Sequence, residues 1–128
     1  MIVLDANVMI AVLDSDDAFH GEARQLLVDN ISQRLVAHRL TMAESLVLAS
    51  RRDAGAAAAS ALSALGVVVS DGLDDPASLA DLRASTGLPM PDCCVLHATI
   101  REKAHLATFD RRLAAAARAV GVVVLGAE

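Results

Sequence analysis

The chain has no tryptophan, no tyrosine and only two phenylalanines, Phe19 and Phe109. Without large rings its core must be aliphatic. A platform on which successive nucleic-acid bases stack is excluded too, because that needs several exposed rings. Lysine is nearly absent: Lys103 stands alone beside ten arginines. No basic run exceeds Arg51-Arg52 or Arg111-Arg112, and the net charge is −5. Broad electrostatic binding to a nucleic-acid backbone is therefore excluded, but not a local site where metal ions supply the positive charge. No apolar run approaches the roughly 18 residues that span a bilayer. The start, Met1-Ile2-Val3-Leu4-Asp5, has no basic n-region and meets an Asp early, so it is no secretion signal and a cytoplasmic location is expected. The only cysteines, Cys93 and Cys94, are adjacent on an expected helix and badly placed to bridge each other. They read as small buried thiols in a reducing compartment.

What is present is aliphatic. Hydrophobic residues make up 55% of 128 positions, enough for one domain, 1–128, with a real core. Alanine inflates that figure, but the excess still implies burial against a partner or a second copy. Short β-branched runs alternate with helical stretches. Strands are expected at Ile2-Val3-Leu4, Leu35 to His38, Val67-Val68-Val69, Leu106-Ala107-Thr108 and Val122-Val123-Val124. Helices are expected at Asn7 to Leu13, Phe19 to Ile31, Thr41 to Arg52, Ala54 to Leu65, Pro76 to Ser85, Pro91 to Lys103 and Arg111 to Ala119. Brief, continuously apolar strands suit a sheet covered on both faces. The class is α/β: a three-layer α/β/α domain around a mostly parallel sheet.

Four acids stand where this chain leaves a strand or enters a helix: Asp5, Glu44, Asp92 and Asp110. Each has an ordinary explanation. Thr41-x-x-Glu44 matches a capping box. Asp92 follows Pro91 in a first helical turn, where negative charge suits the helix dipole. Asp110 is placed to cap a helix, and Asp5-x-Asn7 to form an Asx turn. Their joint placement says more. In open α/β sheets, ligands bind beyond the C-terminal strand ends where strand order reverses. If strands one and four are neighbours, all four carboxylates face one crevice. Clustered carboxylates repel unless cations lie between them, and hard oxygen ligands ask for Mg²⁺ or Mn²⁺. The four histidines fall in scattered contexts that give no acid–base pair, and no Gly-rich phosphate loop is present.

The ordered set resembles a PIN domain, and more closely a VapC-type toxin ribonuclease. It comprises Asp5-Ala6-Asn7, Thr41-x-x-Glu44, Leu88-x-x-Pro91-Asp92-Cys93 and Ala107-Thr108-Phe109-Asp110, and covers essentially the whole chain. The resemblance implies a five-stranded parallel sheet of order 3-2-1-4-5 and Mg²⁺- or Mn²⁺-dependent endoribonuclease activity on structured RNA, of the tRNA or rRNA class. It implies products with 5′-phosphate and 3′-hydroxyl ends. It also implies a homodimer and a cognate VapB-type antitoxin, with a hetero-oligomer between them. It makes Asp5, Glu44, Asp92 and Asp110 both the catalytic and the metal-binding acids. Asn7 becomes a residue that orients them, and Thr108 a hydroxyl neighbour of the metals or the scissile phosphate. Ala6 departs from the pattern, since many relatives carry Thr or Ser there. Arg39, Arg111 and Arg112 lie near the expected mouth and are candidates for gripping RNA. An antitoxin segment is expected along roughly Asn7 to Ile31, with a basic tip in the acidic pocket.

Two other readings stay open on sequence. A haloacid-dehalogenase-type phosphatase would place a second Asp where Asn7 stands, and a receiver domain would want a late lysine that ends a strand, which Lys103 does not. A non-catalytic module could use the same acidic pocket to hold an ion or a basic side chain.

Overall fold

A computed structural model describes residues 1–127; Glu128, the last residue of the expected domain, lies outside the described residues. The elements in chain order are β1 (Ile2–Leu4), α1 (Ala6–Leu13), α2 (His20–Asp29), β2 (Leu35–Ala37), α3 (Arg39–Arg51), α4 (Gly55–Ala64), β3 (Val67–Val69), α5 (Pro76–Thr86), α6 (Met90–Arg101), β4 (His105–Thr108), α7 (Arg111–Ala119) and β5 (Val124–Gly126). The five strands form one sheet of order β3-β2-β1-β4-β5. Every pairing is parallel, with Ile2 opposite both Leu35 and His105. The expected class and strand order are the observed ones.

The sheet is buried because its strands offer no polar face. Ile2, Val3 and Leu4 are all at most 1% exposed. Alternation along the strand sends Ile2 and Leu4 to one side and Val3 to the other. On the first side they meet Val8 and Met9 of α1, Leu26 of α2 and Leu62 of α4. On the second side Val3 meets Val95 and Leu96 of α6 and Leu113 of α7. These are the two helical layers. Truncating a core leucine such as Leu4 or Leu96 to Ala would cost roughly 2–5 kcal/mol. Among the described residues no helix is long and apolar enough to cross a membrane.

Two boundaries differ from the sequence expectation in ways that matter. β5 begins at Val124 rather than Val122. Gly121, at φ +85°, turns the chain out of α7. The Val122 N–H then bonds the Ala117 carbonyl at 3.0 Å. Val122 is thus used up in closing the helix, and the sheet picks up the chain two residues later. Helix α3 begins at Arg39, not Thr41, with His38 as its N-cap. Thr41 is buried inside the helix and its hydroxyl bonds no cap, so Thr41-x-x-Glu44 is not a capping box. The Glu44 carboxylate is thereby left free.

Candidate active site

Between β1 and β4 the chain order of the sheet reverses. The C-terminal ends of these two neighbouring strands frame the crevice. Asp5 follows β1 with an extended backbone and caps α1: one carboxylate oxygen, Oδ1, accepts the Ala6 N–H at 2.8 Å. The other, Oδ2, accepts the Thr108 hydroxyl at 2.7 Å. Thr108 ends β4 and is fully buried. Its one proton is committed to Asp5, so its oxygen is left to accept. It receives the Asp110 N–H at 3.0 Å and the Asn7 side-chain amide at 3.5 Å. Asn7 Oδ1 in turn accepts the Phe109 N–H at 3.2 Å. Asn7 therefore steadies the turn after β4 rather than touching Asp5. Thr108 is wholly enclosed and holds Asp5 from behind.

Asp110 caps α7 through one oxygen, Oδ1, which takes the Arg112 and Leu113 amides at 2.8 and 3.2 Å. Its second oxygen has no protein partner among the described residues. Glu44 projects from the second turn of α3, and Asp92 is half-buried in the first turn of α6. The cap reading thus holds for Asp5 and Asp110 and the first-turn reading for Asp92, while Glu44 caps nothing.

The four acids feel one another. Burial raises the pKa of Asp5, hydrogen bonds from Thr108 and Ala6 pull it back, and the Asp110 charge raises it further. Burial, then the Asp5 charge, raises Glu44. Asp92 is pushed up to about 6, first by burial and then by Asp5, Asp110 and Glu44, with Arg112 opposing. The charges of Asp5, Glu44 and Asp110 thus all reach Asp92. The crevice is nevertheless open: no three of the four bring their oxygens within 4.8 Å of one another. The donor set is all oxygen, which suits a hard cation, and Mg²⁺ keeps several of its waters, so not every carboxylate need touch the ion directly.

Of the three arginines expected near the mouth, Arg112 is the one that acts on the crevice. It donates to the Gly87 carbonyl at 3.2 Å and lowers the Asp92 pKa. Arg39 and Arg111 are exposed at the starts of α3 and α7, with no ion pair among the described residues.

A second group was not foreseen. His38, Asp74 and Cys94 each place one possible ligand atom within 4.8 Å of the others. Hydrogen bonding argues against a metal there. His38 Nδ1 accepts the Leu40 N–H at 3.1 Å, so in the neutral ring the proton sits on Nε2. That proton points at the Asp74 carboxylate, 2.9 Å away. A metal on Nε2 would move the proton to Nδ1, against the Leu40 N–H. The Arg101 guanidinium, 3.5 Å from Asp74, already supplies positive charge. Little in the sequence signals this group, since His is not among the usual N-caps and Asp74 is one of three acids in a short loop. The two phenylalanines were likewise not linked, yet they stack with centroids 4.6 Å apart beside the β4 turn.

No curated protein matches the sequence. Solved structures do. VapC20 of Mycobacterium tuberculosis, described as a sarcin–ricin loop cleaving toxin, superposes with a TM-score of 0.68 at 20% identity, over 96% of this chain and 97% of that one. FitAcB of Neisseria gonorrhoeae gives 0.70 at 20% identity, over 98% and 96%. A toxin–antitoxin complex from Klebsiella pneumoniae gives 0.68 at 22%, over 86% and 87%. At such identities the likeness establishes the fold. The sequence itself matches the PIN domain over residues 2–119, which spans nearly all of the sheet and every acid of the crevice. On that match the chain belongs to the PIN-domain family of nucleases.

Proposed function

We propose that this protein is a Mg²⁺- or Mn²⁺-dependent endoribonuclease of the VapC type, the toxin of a toxin–antitoxin pair, which hydrolyses phosphodiester bonds in structured RNA of the tRNA or rRNA class. The observation that carries the reading is the electrostatic coupling of Asp5, Glu44, Asp92 and Asp110 at the reversal point of the sheet. Burial and then neighbouring charge raise Asp5, Glu44 and Asp92, and a cation would relieve that cost. The toxins among its structural neighbours support the biological role.

Asp5, Glu44, Asp92 and Asp110 would hold the ion. A bound divalent cation supplies positive charge for the scissile phosphate and makes a water acidic enough to attack it. Thr108 fixes the rotamer of Asp5, and the Asp110 N–H fixes Thr108, so the crevice is set before substrate arrives. Arg112, whose charge reaches Asp92, is the arginine best suited to meet a phosphate. Recognition of a folded RNA's shape suits a surface with two phenylalanines better than a stacking platform does.

An open apolar groove of about 380 Å³ runs between α1, α3 and α4, with Ile10, Leu13 and Leu48 on its walls and Glu44 at its edge. It suits an amphipathic antitoxin segment that ends in a basic residue aimed at the acids. The groove uses α3 and α4 where the sequence reading had placed α2. Ile31 and Leu73, 85% and 83% exposed, leave further apolar surface for a second copy of the chain.

The test is cleavage of end-labelled tRNA and rRNA fragments in Mn²⁺ and in EDTA, with Asp5→Asn alongside. Metal-dependent cutting by the wild type alone is expected. Equal cutting by Asp5→Asn, or none in any metal, removes the proposal.

A further inference from the structure

Two of the four acids come from strand ends and are held by the sheet. The other two, Glu44 and Asp92, come from helices, and something must fix those helices relative to each other. The loop from Ser70 to Asp75, between β3 and α5, spans the gap. Toward α6 it is gripped twice. Arg101 donates to the Leu73 carbonyl and to Ser70 Oγ, both at 3.1 Å. The Asp75 N–H bonds His97 Nε2 at 3.3 Å. Gly72 lets Arg101 lie flat against this loop, since a Cβ there would fall 2.6 Å from the guanidinium. Toward α3 the grip is a single residue. His38, only 5% exposed, caps α3 through Nδ1 and donates from Nε2 to both Asp74 oxygens at 2.9 and 3.1 Å. Asp74 in turn pairs with Arg101. A continuous path of polar contacts thus joins the N-cap of α3, the helix that carries Glu44, to the last residue of α6, which carries Asp92.

We infer that His38 is a positioning residue: through Asp74 and Arg101 it holds Glu44 opposite Asp92, and so sets the affinity of the crevice for a divalent ion. This rests on reading the four carboxylates as a metal site. A carboxylate whose helix can drift must be recaptured by the ion each time it binds, and outer partners of metal ligands characteristically tune affinity by 10- to 100-fold.

The two nitrogens of His38 allow a crossed test. His38→Asn keeps an acceptor near Nδ1, so the cap survives, but cannot reach Asp74. His38→Gln keeps a donor near Nε2 but caps poorly. Mn²⁺ affinity is read from free Mn²⁺ by electron paramagnetic resonance, and fold stability from thermal melts in EDTA. His38→Asn should bind Mn²⁺ about tenfold more weakly with little change in melting temperature. His38→Gln should melt lower and bind nearly as the wild type does. Asp74→Ala, which leaves His38 and its cap untouched, should reproduce the affinity loss and serves if His38→Asn does not fold. In the wild type, the nitrogen shifts of His38 should report a proton on Nε2. Affinity losses that follow melting temperature across the series, or wild-type affinity in both His38→Asn and Asp74→Ala, overturn the inference while leaving the metal site standing. A wild type that binds no Mn²⁺ overturns both.

Discussion

Replacing Asp92 with Asn should stabilise the metal-free protein while destroying its use of metal. The folded chain holds the Asp92 pKa at about 6, against 3.8 for the free side chain. An acid with a raised pKa binds its proton more tightly when folded. Its contribution to stability is complete below about pH 4 and is lost as pH climbs through about 6. At about 1.4 kcal/mol per pK unit the full loss is roughly 3 kcal/mol. Asp92 is only half-buried, so solvent screening brings this to about 1–2 kcal/mol. Asn also forgoes about 0.3–1 kcal/mol of favourable helix-dipole interaction in the first turn of α6. The net gain at pH 7.5 is about 1 kcal/mol, or about 3–5 °C for a domain of this size. Asp5 and Glu44 are raised as well, chiefly by burial, so they too favour the folded state more when protonated. Circular-dichroism melts in EDTA at pH 5 and pH 7.5 read the effect. The variant should gain on the wild type between the two pH values, and millimolar Mn²⁺ should raise the wild type but not the variant. An Asp92→Asn protein that melts below the wild type at pH 7.5, by the same margin as at pH 5, would refute the cost that burial and neighbouring charge place on the Asp92 carboxylate.

Thr108→Val keeps the shape but strips the hydroxyl that Asp5, Asp110 and Asn7 share, so urea unfolding should show a loss of about 2–3 kcal/mol, with Thr108→Ser milder. A double-mutant cycle on Phe19 and Phe109 should return about 0.5–1.5 kcal/mol of coupling for the ring stack, and zero would mean the rings are not held together. Burial pushes the Cys93 and Cys94 thiols up, so both should resist a thiol reagent at neutral pH until the chain unfolds.

The sheet was legible because β1, β2 and β3 are each a run of three apolar residues ended by a polar one, and the helices between them carry their own stops. β5 was misplaced by two residues since Val122, Val123 and Val124 are equivalent as sequence. Only the closure of α7 by Val122 tells them apart. The carboxylates were legible as a set because Asp5, Asp92 and Asp110 mark helix starts and Glu44 follows within two turns of one. How α3 starts was not: Thr41 and Glu44 mimic a capping box, while the true cap is a histidine whose role depends on a nitrogen, a backbone amide and a distant loop. The His38–Asp74–Arg101 path joins residues as far as 63 positions apart, with no periodicity to announce it. The turn after β4 was half legible. Asp110 could be read as a cap, but the buried Thr108 hydroxyl at its centre shows its direction only in three dimensions.

The most direct measurement is an anomalous difference map from crystals soaked in Mn²⁺ and recorded at the manganese absorption edge. The expected result is a peak among Asp5, Glu44, Asp92 and Asp110, with their oxygens drawn inward around it. A map with no peak there, or with its peak between His38, Asp74 and Cys94 instead, would contradict a metal-dependent site at the reversal point of the sheet.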